Sequence, residues 1–244
     1  MIQIQHLSKT FAHPVLCNVT LRVPAGCLYG LMGPGASGKS VLLKMITALM
    51  RPDAGTLHVD GQDVLALREI ELAAYRLKFG MLFQNNALFD AMTVADNVAF
   101  PLRRLGQFSE TEITDRVHER LAAVSLADFA ERLPSSLSGG QKKRVGVARA
   151  TITKAPIIFY DEPAAGLDPV TSQKIFDLLR KEQENAKTTV IMVSSDIDRL
   201  LTVTDRVGMM YRGSLVFDGS ISEAKCCAQA HVKQFIHGLA EGPL

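Results

Sequence analysis

Gly33-Pro34-Gly35-Ala36-Ser37-Gly38-Lys39-Ser40 is the stretch that decides the fold. It matches G-x-x-x-x-G-K-[ST], a glycine-rich turn that joins a strand to a helix and wraps the phosphates of a nucleotide. The flanks supply that context. Leu28-Tyr29-Gly30-Leu31-Met32 is a continuous apolar run ending at the loop, and residues 39–49 read as a helix with Val41, Leu42, Met45, Ile46 and Leu49 on one face. Phosphates concentrate negative charge in a small volume. Binding them takes inward-pointing backbone N–H groups, a cation and a helix N-terminus. The loop of Gly33, Pro34, Gly35, Ala36, Ser37 and Gly38 brings the amides of its non-proline residues, Lys39 is placed for the β- and γ-phosphates, and the Ser40 hydroxyl is a ligand for Mg²⁺.

A second strand carries acid at its end. Ile157-Ile158-Phe159-Tyr160-Asp161-Glu162 is an apolar run of the kind buried on both faces of a parallel sheet. It delivers Asp161 to the carboxyl edge, where ligands of such sheets bind, as a Mg²⁺ ligand acting mostly through water. Between these motifs lies Leu137-Ser138-Gly139-Gly140-Gln141. Ser138 is a good helix N-cap, and two glycines let backbone approach a phosphate closely. Lys142, Lys143 and Arg144 follow and read as a solvated helix face.

The remaining pattern is α/β with a helical insertion. Strands are predicted at 2–7, 19–23, 56–59, 79–83, 157–160 and 189–193, and a hairpin at 207–211 and 214–217 around Arg212-Gly213. Helices are predicted at 94–100, stopped by Pro101, at 111–124 with Ile113, Val117, Leu121 and Val124 in register, and at 171–185. Residues 85–151 carry the helical character. With 47% apolar residues and a net charge of +2, the chain resembles an ordinary globular protein and has no basic excess suited to nucleic acid. No apolar run approaches the roughly 18 residues of a membrane span, and the start lacks the look of a signal peptide, so a cytoplasmic protein is expected. Cys17, Cys27, Cys226 and Cys227 show no metal-type spacing and fit reduced, free thiols.

Taken together, the phosphate loop, Leu137–Gln141 and Tyr160-Asp161-Glu162 resemble the ATP-binding-cassette (ABC) ATPases over about residues 1–240. The resemblance implies a single ABC-type nucleotide-binding domain: a P-loop core sheet with an antiparallel β subdomain (1–84 and 152–222), a helical subdomain bearing the signature (85–151), and a tail (223–244). It implies ATP and Mg²⁺ as ligands and a second ATPase subunit, itself, bound head-to-tail. Ser138, Gly139, Gly140 and Gln141 would then reach the nucleotide held by that partner. Glu162 would be the general base, Gln84 the glutamine that senses Mg²⁺ and the membrane partner, Asp168 the interface aspartate, and Phe11 the aromatic stacked on adenine, if it is not ordinary core. Two positions depart from the family pattern. Ala36 stands where glycine is usual, and Ser195, in Val193-Ser194-Ser195-Asp196, stands where a histidine contacts the γ-phosphate. A serine hydroxyl reaches less far and carries no charge, so slow turnover is expected.

Three further stretches are similar to the cytoplasmic ATPase of the Mla and Mce phospholipid-trafficking transporters and their chloroplast relatives. These are Phe83 to Asp90 continuing through Val94, Asn97-Val98 and Pro101-Leu102; Tyr160 to Pro163 with Ala165 to Ser172; and Val232-Lys233-Gln234-Phe235 with Gly238 and Gly242-Pro243-Leu244. That likeness implies an integral-membrane permease docked on Asn86 to Val98, small accessory and lipid-binding subunits, and a peripheral place on the cytoplasmic face of the inner membrane. An ABC ATPase for a small polar solute, a soluble ATP-switched protein without a permease, and a binding-only cassette are the alternatives.

Overall fold

A computed structural model describes residues 1–243. Alternating apolar residues build its first sheet. β1 (Ile2–Thr10) and β2 (Pro14–Val23) pair antiparallel, and β4 (Ala54–Val59) adds to the other edge of β1 with the short β5 (Gln62–Asp63) beyond it. The order is β2-β1-β4-β5. Ile4 and Leu7 are both buried although three positions apart, because the β1–β2 register shifts between them. The extra residue is taken up at a bulge where His6 has φ 55°.

The second sheet runs β10-β9-β3-β8-β7-β6. β3 (Leu28–Met32), β6 (Phe79–Leu82), β7 (Ile157–Asp161), β8 (Thr189–Val193) and β9 (Arg206–Tyr211) are mutually parallel. β10 (Ser214–Ser220) returns antiparallel through Arg212 and Gly213 at φ 45° and 80°, the left-handed pair that a two-residue hairpin needs. Helices cover both faces. α1 (Lys39–Ile46), α2 (Glu69–Arg76) and the first sheet close one core around Tyr29, Leu31, Phe159 and Ile191. On the other face lie α3 (Val94–Leu105), α4 (Glu110–Ala123), α5 (Gly139–Thr151), α6 (Pro169–Ala186), α7 (Ile197–Val203), α8 (Ile221–Lys225) and α9 (Ala230–His237). They enclose a core that includes Val98, Leu121, Tyr160, Phe176 and Val232.

Two sequence expectations change. α1 stops at Ile46; Leu49 is 56% exposed, and Leu43 takes its place in the core. α3 runs through Pro101 to Leu105 and ends at Gly106, a left-handed C-cap at φ 65°. Val98 and Leu102, buried on either side of the proline, offset the backbone hydrogen bond it removes. The tail packs against the core: Val232 is buried, Tyr211 stacks on His231 at 4.6 Å, and the Tyr211 hydroxyl donates to the Pro243 carbonyl at 2.9 Å. Leu244 lies outside the described residues. No helix among the described residues is long and apolar enough to cross a membrane.

Candidate nucleotide site

β3, β6, β7 and β8 end at one edge of the sheet, the edge at which open α/β sheets bind their ligands. β3 leads into the phosphate loop. Two of its glycines are dictated by close backbone approach. A Cβ on Gly33 would lie 2.1 Å from the Met210 carbonyl oxygen, and one on Gly38 would lie 2.6 Å from Leu16 and 2.8 Å from the Val15 carbonyl oxygen. Ala36 has φ 58°, the left-handed conformation that costs a non-glycine residue about 1 kcal/mol. Lys39 donates to the carbonyls of Gly33 and Pro34 at 2.8 Å each and to the Ser37 hydroxyl at 3.2 Å. Burial lowers its pKa, against the pull of Glu162 and Asp161. Ser40 opens α1 and is exposed. Phe11, 52% exposed in the β1–β2 turn, is not core. That turn precedes Val15, which abuts Gly38, so the ring stands at the loop's end of the molecule.

β7 brings Asp161 and Glu162 to the same edge. Burial raises the Asp161 pKa, Glu162 adds to the rise, and Lys39, Lys143 and Lys44 oppose it. The desolvated Asp161 carboxylate, which feels the charges of Lys39 and Lys44 of α1, and the Ser40 hydroxyl in that helix's first turn are hard-oxygen donors. Mg²⁺, which keeps most of its waters and takes one or two protein oxygens, fits them. Glu162 sits at φ 49° and donates its N–H to the Val193 carbonyl at 2.9 Å. Its carboxylate oxygen accepts the Ser195 N–H at 3.1 Å and the Ser195 hydroxyl at 3.0 Å. Ser195 therefore meets the carboxylate expected to be the base. The next residue, Asp196, caps α7 and pairs with Arg199, whose guanidinium also donates to the Pro169 carbonyl at 3.1 Å.

Ser138 caps α5 in a reciprocal box: its hydroxyl accepts the Gln141 N–H at 3.3 Å and its own N–H donates to the Gln141 side chain at 2.8 Å. The Gln141 amide oxygen is thereby engaged within the chain. Ser138 and Gly139 are exposed at the helix tip. Gly140 has an internal reason as well, since a Cβ there would lie 2.8 Å from Thr171. Asp168 caps α6, accepting N–H from Val170 at 3.0 Å and Thr171 at 2.9 Å; these bonds, Thr171 first, lower its pKa.

One reading fails at this site. Lys143 is no solvated residue: it is 4% exposed and donates to the carbonyls of Gln84 at 2.6 Å and Glu162 at 3.2 Å. Arg149, also buried, donates to the carbonyls of Ala87 at 2.7 Å and Asn86. Both were missed. The available signal was periodicity, because Lys143 lies on one helical stripe with Val147 and Ala150.

Comparison with known proteins agrees with this geometry. The family model for ABC transporters matches residues 16–165. The methionine import ATP-binding protein MetN 1 of Pseudomonas putida is 40% identical over 228 residues, covering 91% of this chain and 68% of that protein. The probable ribonucleotide transport ATP-binding protein mkl of Mycobacterium tuberculosis is 38% identical over 244 residues, covering 100% of this chain and 68% of that protein. The dimeric post-hydrolysis state of the ATP-binding cassette MJ0796 bound to ADP and Pi superposes with a TM-score of 0.83 at 33% identity, covering 91% of this chain and 99% of that one. A match that runs from β2 past Glu162, on a sheet whose carboxyl edge gathers the phosphate loop and both carboxylates, makes the chain a member of the ABC transporter family and an ATPase.

Proposed function

We propose that this chain is the energy-coupling subunit of an ABC transporter that moves phospholipid between membranes. Two copies pair head-to-tail, and each nucleotide lies between the phosphate loop of one and Ser138, Gly139 and Gly140 of the other. The observation that carries this reading is the placement of two half-sites on one chain. The phosphate loop stands at the end of β3, while Ser138, Gly139 and Asp168 are exposed together beside Leu167 and Thr171. The dimeric cassette among the solved relatives supports the pairing.

Hydrolysis then follows from the residues at the edge. Loop amides and Lys39 bind the β- and γ-phosphates, and Phe11 stacks on the base. Glu162, held by Ser195, orients a water toward the γ-phosphorus and accepts its proton as the new P–O bond forms and the bond to the β–γ bridging oxygen breaks. Ser40 and Asp161, with Gln84, would hold Mg²⁺, which neutralises phosphate charge. Closure of the pair is coupled to the permease through differing affinity for its two states. The permease meets a cavity of about 340 Å³ lined by Phe83, Ala87, Phe89, Phe100, Pro101 and Arg149. On this reading the chain is peripheral on the cytoplasmic face of the inner membrane.

The lipid assignment rests on the similarity of the 83–102, 160–172 and 232–244 stretches to phospholipid-trafficking ATPases. The likeness to a methionine importer favours a second reading, a small polar solute, with the same catalytic residues and a different permease. Purification of the chain from its native membranes, with identification of what accompanies it, separates the two. A permease with a lipid-binding subunit and bound phospholipid establishes the first. A solute-type permease without lipid overturns it and leaves the ATPase standing.

A further inference from the structure

Glu162 is fastened at more points than a strand end requires. Its backbone is left-handed, a costly conformation that persists only where the surroundings over-determine it. The N–H is bound by Val193, the carboxylate by Ser195, and the carbonyl by Lys143. Lys143 belongs to α5, the helix whose tip is the signature, and the same ammonium binds the Gln84 carbonyl. Neither of these two partners is a carboxylate. Burying an ammonium is expensive even with the charges of Glu162 and Asp161 facing it, so core filling alone does not account for it. The rest of that face of α5 is turned the same way. A Cβ on Gly146 would lie 2.4 Å from Leu82 at the end of β6, and Arg149 binds the carbonyls of Asn86 and Ala87. Of these contacts, the one from Lys143 also reaches the acidic end of β7.

We propose that Lys143 is a positioning residue for ATP hydrolysis, a buried ammonium that locks the Gln84 loop, the signature helix and the backbone of Glu162 into one unit. Its hydrogen bonds go to backbone carbonyls. Its effect is to keep the Glu162 carboxylate in line with the attacking water when the signature helix moves. This rests on Glu162 being the general base.

The test uses the transporter complex purified from membranes, with phosphate release and fluorescent-nucleotide binding measured on the same preparations. Lys143→Met removes the ammonium and keeps the stem. It lowers kcat roughly tenfold to a hundredfold, the scale expected when a reacting group is misplaced by about 1 Å, and leaves KM and nucleotide affinity within about threefold. Lys143→Gln, which keeps one donor, falls between Lys143→Met and the wild type. If Lys143→Met does not fold, Lys143→Gln decides by the same split. A kcat within about twofold of wild type overturns the proposal, as does a joint fall of kcat, nucleotide affinity and Tm in both variants, which marks a merely structural lysine. Glu162→Gln in the same assay separates the premise: wild-type turnover there defeats the base assignment, whatever Lys143 does.

Discussion

Ser195→Ala should slow ATP hydrolysis without weakening ATP binding. The Ser195 hydroxyl is one of two donors on a single oxygen of Glu162, and the backbone N–H of the same residue is the other. Removing a hydrogen bond to a charged group costs about 1.5–3 kcal/mol, and exposure of Ser195 to water brings that toward about 1 kcal/mol. Since about 1.4 kcal/mol is tenfold in rate, kcat should fall about fivefold, with KM for ATP little changed if the serine acts by holding Glu162 as the proposed base. The companion change, Ser195→His, acts in the opposite direction. An imidazole supplies a longer donor that reaches a γ-phosphate, and a positioned donor at developing charge is worth on the order of 10²–10³ in rate. Steady-state phosphate release at saturating ATP, with nucleotide affinity measured in parallel, reads both. A Ser195→Ala protein at the wild-type rate would refute the orienting contact, and equal rates for serine and histidine would refute the account of slow turnover.

Two further outcomes follow from the packing. Arg149→Met strands the carbonyls of Asn86 and Ala87, two residues held at φ 60° and 48°, and should cost about 2–4 kcal/mol; a chemical-denaturation midpoint equal to wild type would count against that role. Acid should destabilise the fold through its caps and ion pairs. Asp53, Asp96 and Asp168 titrate below their ordinary value of 3.8, and Glu71, Glu112 and Glu223 below 4.5, each because hydrogen bonds favour the charged form. A carboxylate whose folded pKa is depressed stabilises above its unfolded value and loses that contribution as pH falls through the folded one. Tm should therefore decline below about pH 4, less steeply in Asp96→Asn, which lacks the pair with Arg103; a Tm unchanged down to about pH 3 would contradict the linkage.

What was legible in the sequence is what a short span determines. The phosphate loop, the acidic end of β7 and the cap of α5 each depend on neighbours within a few residues, and each stands where spacing and residue type put it. The antiparallel sheet was less readable, because a bulge at His6 breaks the alternation that would have extended β1 past Leu7. Pro101 misled for a related reason. Local propensity ends a helix there, and the burial of Val98 and Leu102 carries it on. Periodicity put Lys143 on the buried stripe of α5, but a cation's default is water, and the carbonyl partners of Lys143 and Arg149 leave no mark in a sequence. The hydroxyl of Ser195 and the carboxylate of Glu162 lie 33 residues apart, so a substitution in one strand end could be seen but not what it touches.

That last contact bears on whether the cassette is degenerate. A chain losing catalysis has no reason to keep Glu162, the proposed base, in a strained backbone conformation with restraints on its N–H, its carbonyl and its carboxylate. Here the N–H is held by β8, the carbonyl by α5 and the carboxylate by Ser195, the residue that replaces the expected histidine. On the proposed reading, the replacement removes a donor to the γ-phosphate and leaves the support of Glu162 in place. If Glu162 is the base and Lys39 the phosphate ligand, as proposed, both roles survive and only part of the stabilisation of transferring charge is given up. Slow hydrolysis by this ATPase fits the arrangement, and Glu162→Gln tests it: the change abolishes turnover if Glu162 is the base and leaves it unchanged if it is not.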